Sequence, residues 1–542
     1  MLALSGILVK VIGLVYKIPL TNLIKSEGMG YFNSAYTIYT FFYMLSSAGL
    51  PVAISLLVSR AVSVGNRPRV RRIFLSAFMI FASFGALGSL LMYLFADPFA
   101  SLLGNSPASD AIRAISPTLV FVCIISVIRG YFQGHRYMLP TALSQIIEAL
   151  GKLILGMLLA SSAIRLSMGY SSAATGAALG LSIGMGISLL YLVLHILFFR
   201  GEKYYGEIYD KMPPGSFSSV IKELLKASLP ITLSASVLSM TNTLDLALVM
   251  RSLRNIGLSA EAANAAYGNY TALALPLFNL PIIFITPISN TVVPYIAGSL
   301  SARREKDTLF AISSALRTCA LIAFPCAFGL CALSGPILKL LFDDSLALAA
   351  SPLLEALSPS VIFLSLATVT GAILQALSRP IVPVVSMIVG ALVKALSCPI
   401  FIRFFSIKGA PYSTLLCYFT VSAINFVFLA ITLRKRPNFF AILLKPLACA
   451  LGSSLLCKVF YVAIARIAGN AVSCLASIAI AVVVYALLIL LVGYITEDEI
   501  RMLPMGVKLL KILERIKKTK MKGKEKNERN RNAEIKKRAP HR

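Results

Sequence analysis

The chain has 542 residues, of which 58% are hydrophobic and 13% charged, with a mean hydropathy of +0.83 and a net charge of +29. Soluble domains carry about a quarter charged residues, so this composition excludes a globular enzyme on a single anchor and describes an all-α, multi-pass integral membrane protein. The charge excludes nucleic acid as the partner as well. From Arg501 to Arg542 sixteen Lys and Arg stand against four Glu, and much of the rest lies in alternate short loops; that is the positive-inside pattern, directed at anionic lipid heads.

A helix needs about 20 apolar residues to cross a bilayer, which predicts fourteen crossings. The first, 3–24, carries Lys10 and Lys17. Seven residues are two helical turns, so both amines share one stripe with Gly13 between them. A charge at mid-bilayer costs about 2.5–3.5 kcal/mol. The stripe is therefore predicted to face a wet cavity or an anionic partner. No small-x-small cleavage pattern follows, so the segment reads as a retained helix.

The second and third crossings are 31–58 and 73–96, and the loop between them holds Arg60, Arg67, Arg69, Arg71 and Arg72. The next loop, Asp97 to Asp110, has no Lys or Arg. The fourth crossing, 112–131, ends near Arg129, and the ninth, 308–333, carries Arg317; both arginines sit close enough to helix ends to snorkel. The fifth, 138–162, carries Gln145, Glu148 and Lys152 on one face. Glu148 and Lys152 are i,i+4 and either neutralise each other or leave Lys152 to a cavity. The sixth is 172–199, and Arg200–Lys226 is a basic linker.

The seventh crossing, 227–251, holds Asp245 one turn after Asn242. Asp245 is an ion-coupling candidate, or else a neutral acid or the partner of a lysine. The eighth, 268–298, carries Pro276, Pro281, Pro287 and Pro294 beside Asn279 and Asn290, as a hinge or as a packed kink. Gly335 to Leu348 is too short and polar to cross. The remaining crossings are 352–377, 380–402 with Lys394, 410–432, 440–465 and 471–495. An amphipathic stretch, Val507–Ile516, precedes a polar basic run that reads as a solvated, topogenic tail.

An internal repeat organises these elements. At an offset of 236, Tyr31, Asn33, Phe42 and Pro51 match Tyr267, Asn269, Phe278 and Pro287. At an offset of 242, Gln133, Ser144, Ala149, Leu150 and Lys152 match Gln375, Ser386, Ala391, Leu392 and Lys394. The unit is six helices, an even number, so the copies have the same orientation and place a path between them. The predicted divisions are a first six-helix bundle at 1–199, the cytoplasmic linker 200–226, a second bundle at 227–432, two further transmembrane helices at 433–495 and a basic tail at 496–542. Both termini are predicted to be cytoplasmic.

No Walker A, HExxH or GxSxG pattern is present. Nine cysteines without a CxxC pair and three histidines predict no metal centre and no cofactor. The charges inside crossings are mainly basic, which points to an anionic substrate and away from a multidrug cation antiporter. A membrane-embedded saccharide ligase or polymerase would need acids or bases on outer loops, where Asp343 and Asp344 are the candidates, and a division or sporulation scaffold would be indifferent to cavity charge.

The opening runs GILVKVIGLVYKIPLTNLI, EGMGYFNSAYTIYTFF and LSSAGLPVAISLLVSR resemble the stage V sporulation protein B-like polysaccharide exporters. So do PTALSQIIEALGKL, the Tyr267–Pro294 segment and GAILQALSRPIVP. These exporters belong to the multidrug/oligosaccharidyl-lipid/polysaccharide (MOP) exporter superfamily, together with the lipid II flippases of peptidoglycan synthesis. The resemblance runs to about Gly506. It implies a fold of six, six and two helices, and a flippase moving a polyprenyl-pyrophosphate-linked saccharide from the cytoplasmic to the outer leaflet of the bacterial inner membrane by alternating access. It implies no enzymatic activity, a cationic central cavity faced by first-helix basic residues, here Lys10 and Lys17, and a tail groove on the last two helices. Lysine is a point charge without the fork of the arginine more usual in those flippases, and the basic residue they carry in the second helix is replaced here by Phe42, Tyr43 and Met44. The predicted substrate-binding set is Lys10, Lys17, Lys152, Lys394, Glu148, Gln145 and Asn279. The implied partners are the lipid-linked saccharide, membrane lipids and cell-wall synthesis proteins.

Overall fold

The computed structural model describes residues 2–47, 49–198, 216–301, 304–433 and 437–494. All regular secondary structure among them is helical. In chain order the helices are α1 (Leu2–Ser47), α2 (Leu50–Ser63), α3 (Arg67–Leu94), α4 (Ala96–Leu102), α5 (Ser109–Ile115), α6 (Thr118–Gly134) and α7 (Leu139–Arg165). There follow α8 (Gly169–Leu197), α9 (Phe217–Asn255), α10 (Ala260–Gly268), α11 (Leu275–Ser301), α12 (Glu305–Ala332), α13 (Ser334–Leu341) and α14 (Asp344–Leu357). The last are α15 (Ser360–Ala376), α16 (Ile381–Phe405), α17 (Gly409–Thr432), α18 (Phe439–Ile464) and α19 (Asn470–Leu491).

The described residues of the fourteen predicted crossings fall mostly on helix, with turns at 116–117 in the fourth and 358–359 in the tenth. Among the described residues, nine helical stretches are long and apolar enough to span a membrane, or ten with the α14–α15 pair, which bends by 47°. One of the nine, Ile381–Thr432, holds the eleventh and twelfth predicted crossings. The first, second and seventh lie on α1, α2 and α9 and are not in that count, so the number fourteen rests on the sequence. The Val507–Ile516 tail and most of the 200–226 linker lie outside the described residues. Where the linker is described, α9 starts at Phe217, ten residues before the predicted crossing, with the Ser216 hydroxyl capping the amide of Ser219.

The first crossing and the opening part of the second run as one helix, α1, with a sharp break, and the second continues on α2. Lys25 has φ 57° and ψ −175°, a region left almost entirely to glycine that costs of the order of 1–3 kcal/mol elsewhere. Neighbouring bonds hold the break in place. Lys25 pairs with Asp343, Asn22 donates to the Leu341 carbonyl at 3.4 Å, and the Asp343 amide donates back to Asn22 at 3.2 Å. The predicted non-crossing stretch Gly335–Leu348 thus forms α13 and the start of α14, and it braces the kink.

Small residues decide how closely α7 and α8 approach. Gly176, Gly180 and Gly184 recur every fourth residue along α8 and meet α7 at Leu159–Ala160, Gly156 and Gly151–Lys152. A Cβ at Gly180 would lie 2.3 Å from the Gly156 Cα, and one at Gly184 would lie 2.8 Å from the Lys152 backbone nitrogen. Close approach through small residues drives helix association where lipid offers no hydrophobic contrast. Gly156 also leaves room for Tyr16, whose hydroxyl lies 2.9 Å from where a Cβ would stand.

By contacts, the chain divides into two units. The larger comprises Met1–Leu280, Ser334–Ser360 and Val384–Ile424, and the smaller Pro281–Leu333, Val361–Pro383 and Asn425–Arg542. Within the larger, α1 packs on α7, α8, α9 and α10. Within the smaller, α12 packs on α18 and α18 on α19, and Tyr494 donates to the Ile442 carbonyl at 2.7 Å.

Candidate substrate-binding site

The larger unit contains a cavity of about 400 Å³ bounded by α1, α6, α7 and α8. Its charged groups are Arg129, Glu148 and Lys152, and its polar wall is Tyr16, Tyr36, Tyr39, Thr40 and Tyr43. Tyr36, Tyr39 and Tyr43 follow helical spacing on α1, so one face of the helix presents a ladder of rings. Consecutive centroids lie 5.7 and 6.0 Å apart, the second pair stacked.

Glu148 makes no salt bridge with Lys152. The Arg129 guanidinium donates to Glu148 Oε2 at 2.9 Å and, through Nε, to Ser144 Oγ at 2.9 Å. The Arg129 side chain is 13% exposed. It is therefore paired inside the bundle, which corrects the expectation that it snorkels to an interface. A guanidinium fork suits a carboxylate better than an ammonium does. The Lys152 amine lies instead over two rings, 4.9 Å from the centroid of Tyr16 and 5.6 Å from that of Tyr36. It has no acidic partner within salt-bridge distance among the described residues. A cation held by ring faces in a desolvated site gains about 2 kcal/mol, yet keeps N–H donors for an anion.

Lys17, on α1 one residue beyond Tyr16, donates to the Thr271 carbonyl at 3.1 Å. The reason is local. Residues Asn269–Ala274 form a π-helical segment at the head of α11. In π register a carbonyl faces the amide five residues on; for Thr271 that residue is Pro276, which has no N–H. The lysine fills the vacant acceptor, and Asn33 donates to the Thr271 hydroxyl at 2.9 Å. The proline-rich eighth crossing thus supplies a backbone site for Lys17. The Lys10 side chain lies outside the described residues.

Lys394 and Asp245 form a second centre. Their ion pair measures 2.9 Å, with both side chains 15% exposed. Tyr270 lies within its field and bonds to the Thr414 hydroxyl at 3.0 Å. Gln145 accepts from Ser5 Oγ at 3.3 Å, and Asn279 is exposed. Of the predicted residues the fold therefore brings Glu148 and Lys152 into one cavity. Lys17 is set on a backbone carbonyl, Lys394 and Asp245 on each other, and Gln145 and Asn279 apart from both. The tyrosine ladder and Arg129 are what reading charges alone missed; the 36, 39, 43 spacing carried the first of them. Among the described residues no cluster of His, Cys, Asp or Glu has the make-up of a metal site.

Stacked apolar helices around a polar, ring-lined cavity define a membrane transporter, and comparison with known proteins gives the family. Residues 1–300, more than half of the chain, match the family of polysaccharide biosynthesis proteins, and the chain belongs to it. Residues 265–400 also match the MatE family. Stage V sporulation protein B of Bacillus subtilis (strain 168) is 26% identical over 69% of this chain and 71% of its own length. Lipid II flippase MurJ of the same organism is 26% identical over 79% and 80%. Among solved structures, a lipid II flippase MurJ in an inward closed conformation superposes with a TM-score of 0.68 at 15% identity, over 91% of this chain and 98% of that one. The fold is that of the MOP exporters, as the sequence predicted.

Proposed function

We propose that this protein is a flippase of the bacterial inner membrane, with both termini cytoplasmic, that carries a polyprenyl-pyrophosphate-linked saccharide from the inner to the outer leaflet. The observation that carries the reading is the half-buried Lys152 amine, held by two tyrosine rings beside a carboxylate already occupied by Arg129. Such a site offers an ammonium and hydroxyls to a phosphate, and ring faces to a sugar. Glu148, the acid among its described lining residues, is engaged by Arg129 and so offers no free carboxylate to a cationic drug. The names of the two curated relatives, one a lipid II flippase and the other a sporulation protein, agree with this substrate class. Lys10 and Lys17 join the site as the halves 1–199 and 227–432 rock to open it. The polyprenyl tail stays in lipid along 433–495.

The test is translocation of a labelled lipid-linked saccharide in proteoliposomes. Lys152→Gln is expected to slow it roughly 10- to 100-fold, the weight of one charged hydrogen bond of about 1.5–3 kcal/mol, while insertion and unfolding midpoint stay as in the wild type. Unchanged translocation by Lys152→Gln, or efflux of cationic dyes in place of it, would falsify the reading.

A further inference from the structure

A larger groove of about 1030 Å³ opens at the N-terminal end of α3. Its rim carries Arg67, Arg71 and Arg72, and its wall carries Leu75, Met79 and Ile196. None of its described lining residues is acidic. The nearest carboxylate on α9, Glu223, is bound on both oxygens by Arg69, at 2.9 and 3.2 Å. Arg71 and Arg72 make no ion pair among the described residues, and the N-terminus of α3 adds about half a positive charge.

The groove is polar at one end only. From Arg67 to Met79 the helix rises about 18 Å, and this helix is itself long and apolar enough to cross a membrane. The lining therefore passes from guanidinium to aliphatic in the direction in which a leaflet passes from head groups to chains. A soluble anion would fill the rim and leave the wall unused. An amphiphile with a phosphate head matches both parts, and arginine is the side chain best shaped for a phosphate in a site of this kind.

We propose that this groove binds an anionic phospholipid of the surrounding leaflet. The phosphodiester lies between Arg71 and Arg72, and one acyl chain lies along Leu75 and Met79. The site is distinct from the tyrosine-lined cavity and stands whether or not the transported substrate is the one named above.

The experiment is native mass spectrometry of the purified full-length protein with phosphatidylglycerol or phosphatidylcholine of the same chains. The wild type is expected to retain phosphatidylglycerol preferentially. Arg71→Gln/Arg72→Gln is expected to lower that retention about 30-fold, from roughly fivefold for each arginine, down to the phosphatidylcholine level. Arg71→Lys/Arg72→Lys restores most of it, because the charge returns. Met79→Trp fills the wall without touching charge and lowers retention of both lipids. Equal retention of the two lipids by the wild type, or undiminished phosphatidylglycerol on the double Gln variant, overturns the proposal. So does displacement of phosphatidylglycerol by a polyprenyl pyrophosphate, which gives the groove to the substrate, or by inorganic phosphate, which gives it to a soluble anion.

Discussion

Lys152 and Lys394 hold matching places in the two copies of the repeat, 242 positions apart, yet they meet different surroundings. Around Lys152 the neighbouring acid, Glu148, is held by an arginine, and the amine rests on tyrosine rings. Around Lys394 an aspartate from another crossing has closed on it. The same offset carries Arg129 to Gly371 and Glu148 to Gly390, so the second copy lacks both members of the competing pair. A side chain could not simply be restored at Gly390, because a Cβ there would stand 2.4 Å from Val421. One copy keeps a cation available, and the other has neutralised its own. The two matching lysines differ in what surrounds them: ring faces at Lys152, and at Lys394 a carboxylate that makes the pair a strut.

The largest effect that would test this contrast concerns the strut. Asp245→Asn leaves Lys394 buried without a counter-charge and is expected to cost about 3–5 kcal/mol of stability, as broken buried pairs do. Asp245→Asn/Lys394→Met, which removes both charges, should recover most of it. Thermal unfolding in detergent reads both variants, and a mild loss in the single variant would show that water already compensates the amine.

The next effect separates function from stability. Lys152→Gln is expected to reduce translocation roughly 10- to 100-fold with little change in unfolding midpoint, whereas Lys394→Gln is expected to lower the midpoint first. Equal behaviour of the two variants in both assays would erase the distinction between the copies. A smaller change tests how the cation is held. Tyr36→Leu removes one of two ring faces, an interaction of about 0.5–2 kcal/mol, so apparent affinity for the lipid-linked head should fall about 2- to 30-fold while Tyr36→Phe, which keeps the face, stays near wild type. A Phe variant as weak as the Leu variant would shift the role from the ring to the hydroxyl. The smallest effect belongs to the brace at the α1 break. Lys25 and Asp343 are 40% and 48% exposed, and exposed pairs contribute less than about 1 kcal/mol. Lys25→Gln should therefore leave the unfolding midpoint almost unmoved, and a large drop would show that the pair, not the Asn22 bonds, holds the kink.

The helices were legible because in lipid the rule is severe: every backbone group must be satisfied within its own segment, so apolar length and charge spacing reveal the crossings almost directly. The break near Lys25 was legible as the polar interval 25–30, although its brace by α13 and α14 was not. The repeat was legible from residues such as Lys152 and Lys394, whose match needs no coordinates. Charge partners were less so. Glu148 and Lys152, four apart on one helix, read as a natural pair, and an arginine nineteen positions away on another helix outcompeted the lysine. Arg129 looked interfacial because its place near a helix end says nothing about which neighbour faces it.

From sequence alone came the membrane class, the helical crossings, the two-copy organisation, the family likeness and the set of intramembrane charges, because each depends on local composition or on identity at a fixed offset. Only the tertiary structure decided which charges neutralise one another and which lysine stays available. Those choices follow from side chains brought within about 3 Å by helix packing: glycine contacts draw α8 against α7, a π segment offers Thr271 to Lys17, and a guanidinium reaches Glu148 from α6. Electrostatic pairing inside a bundle depends steeply on distance, and distance between helices is written in no single stretch of chain.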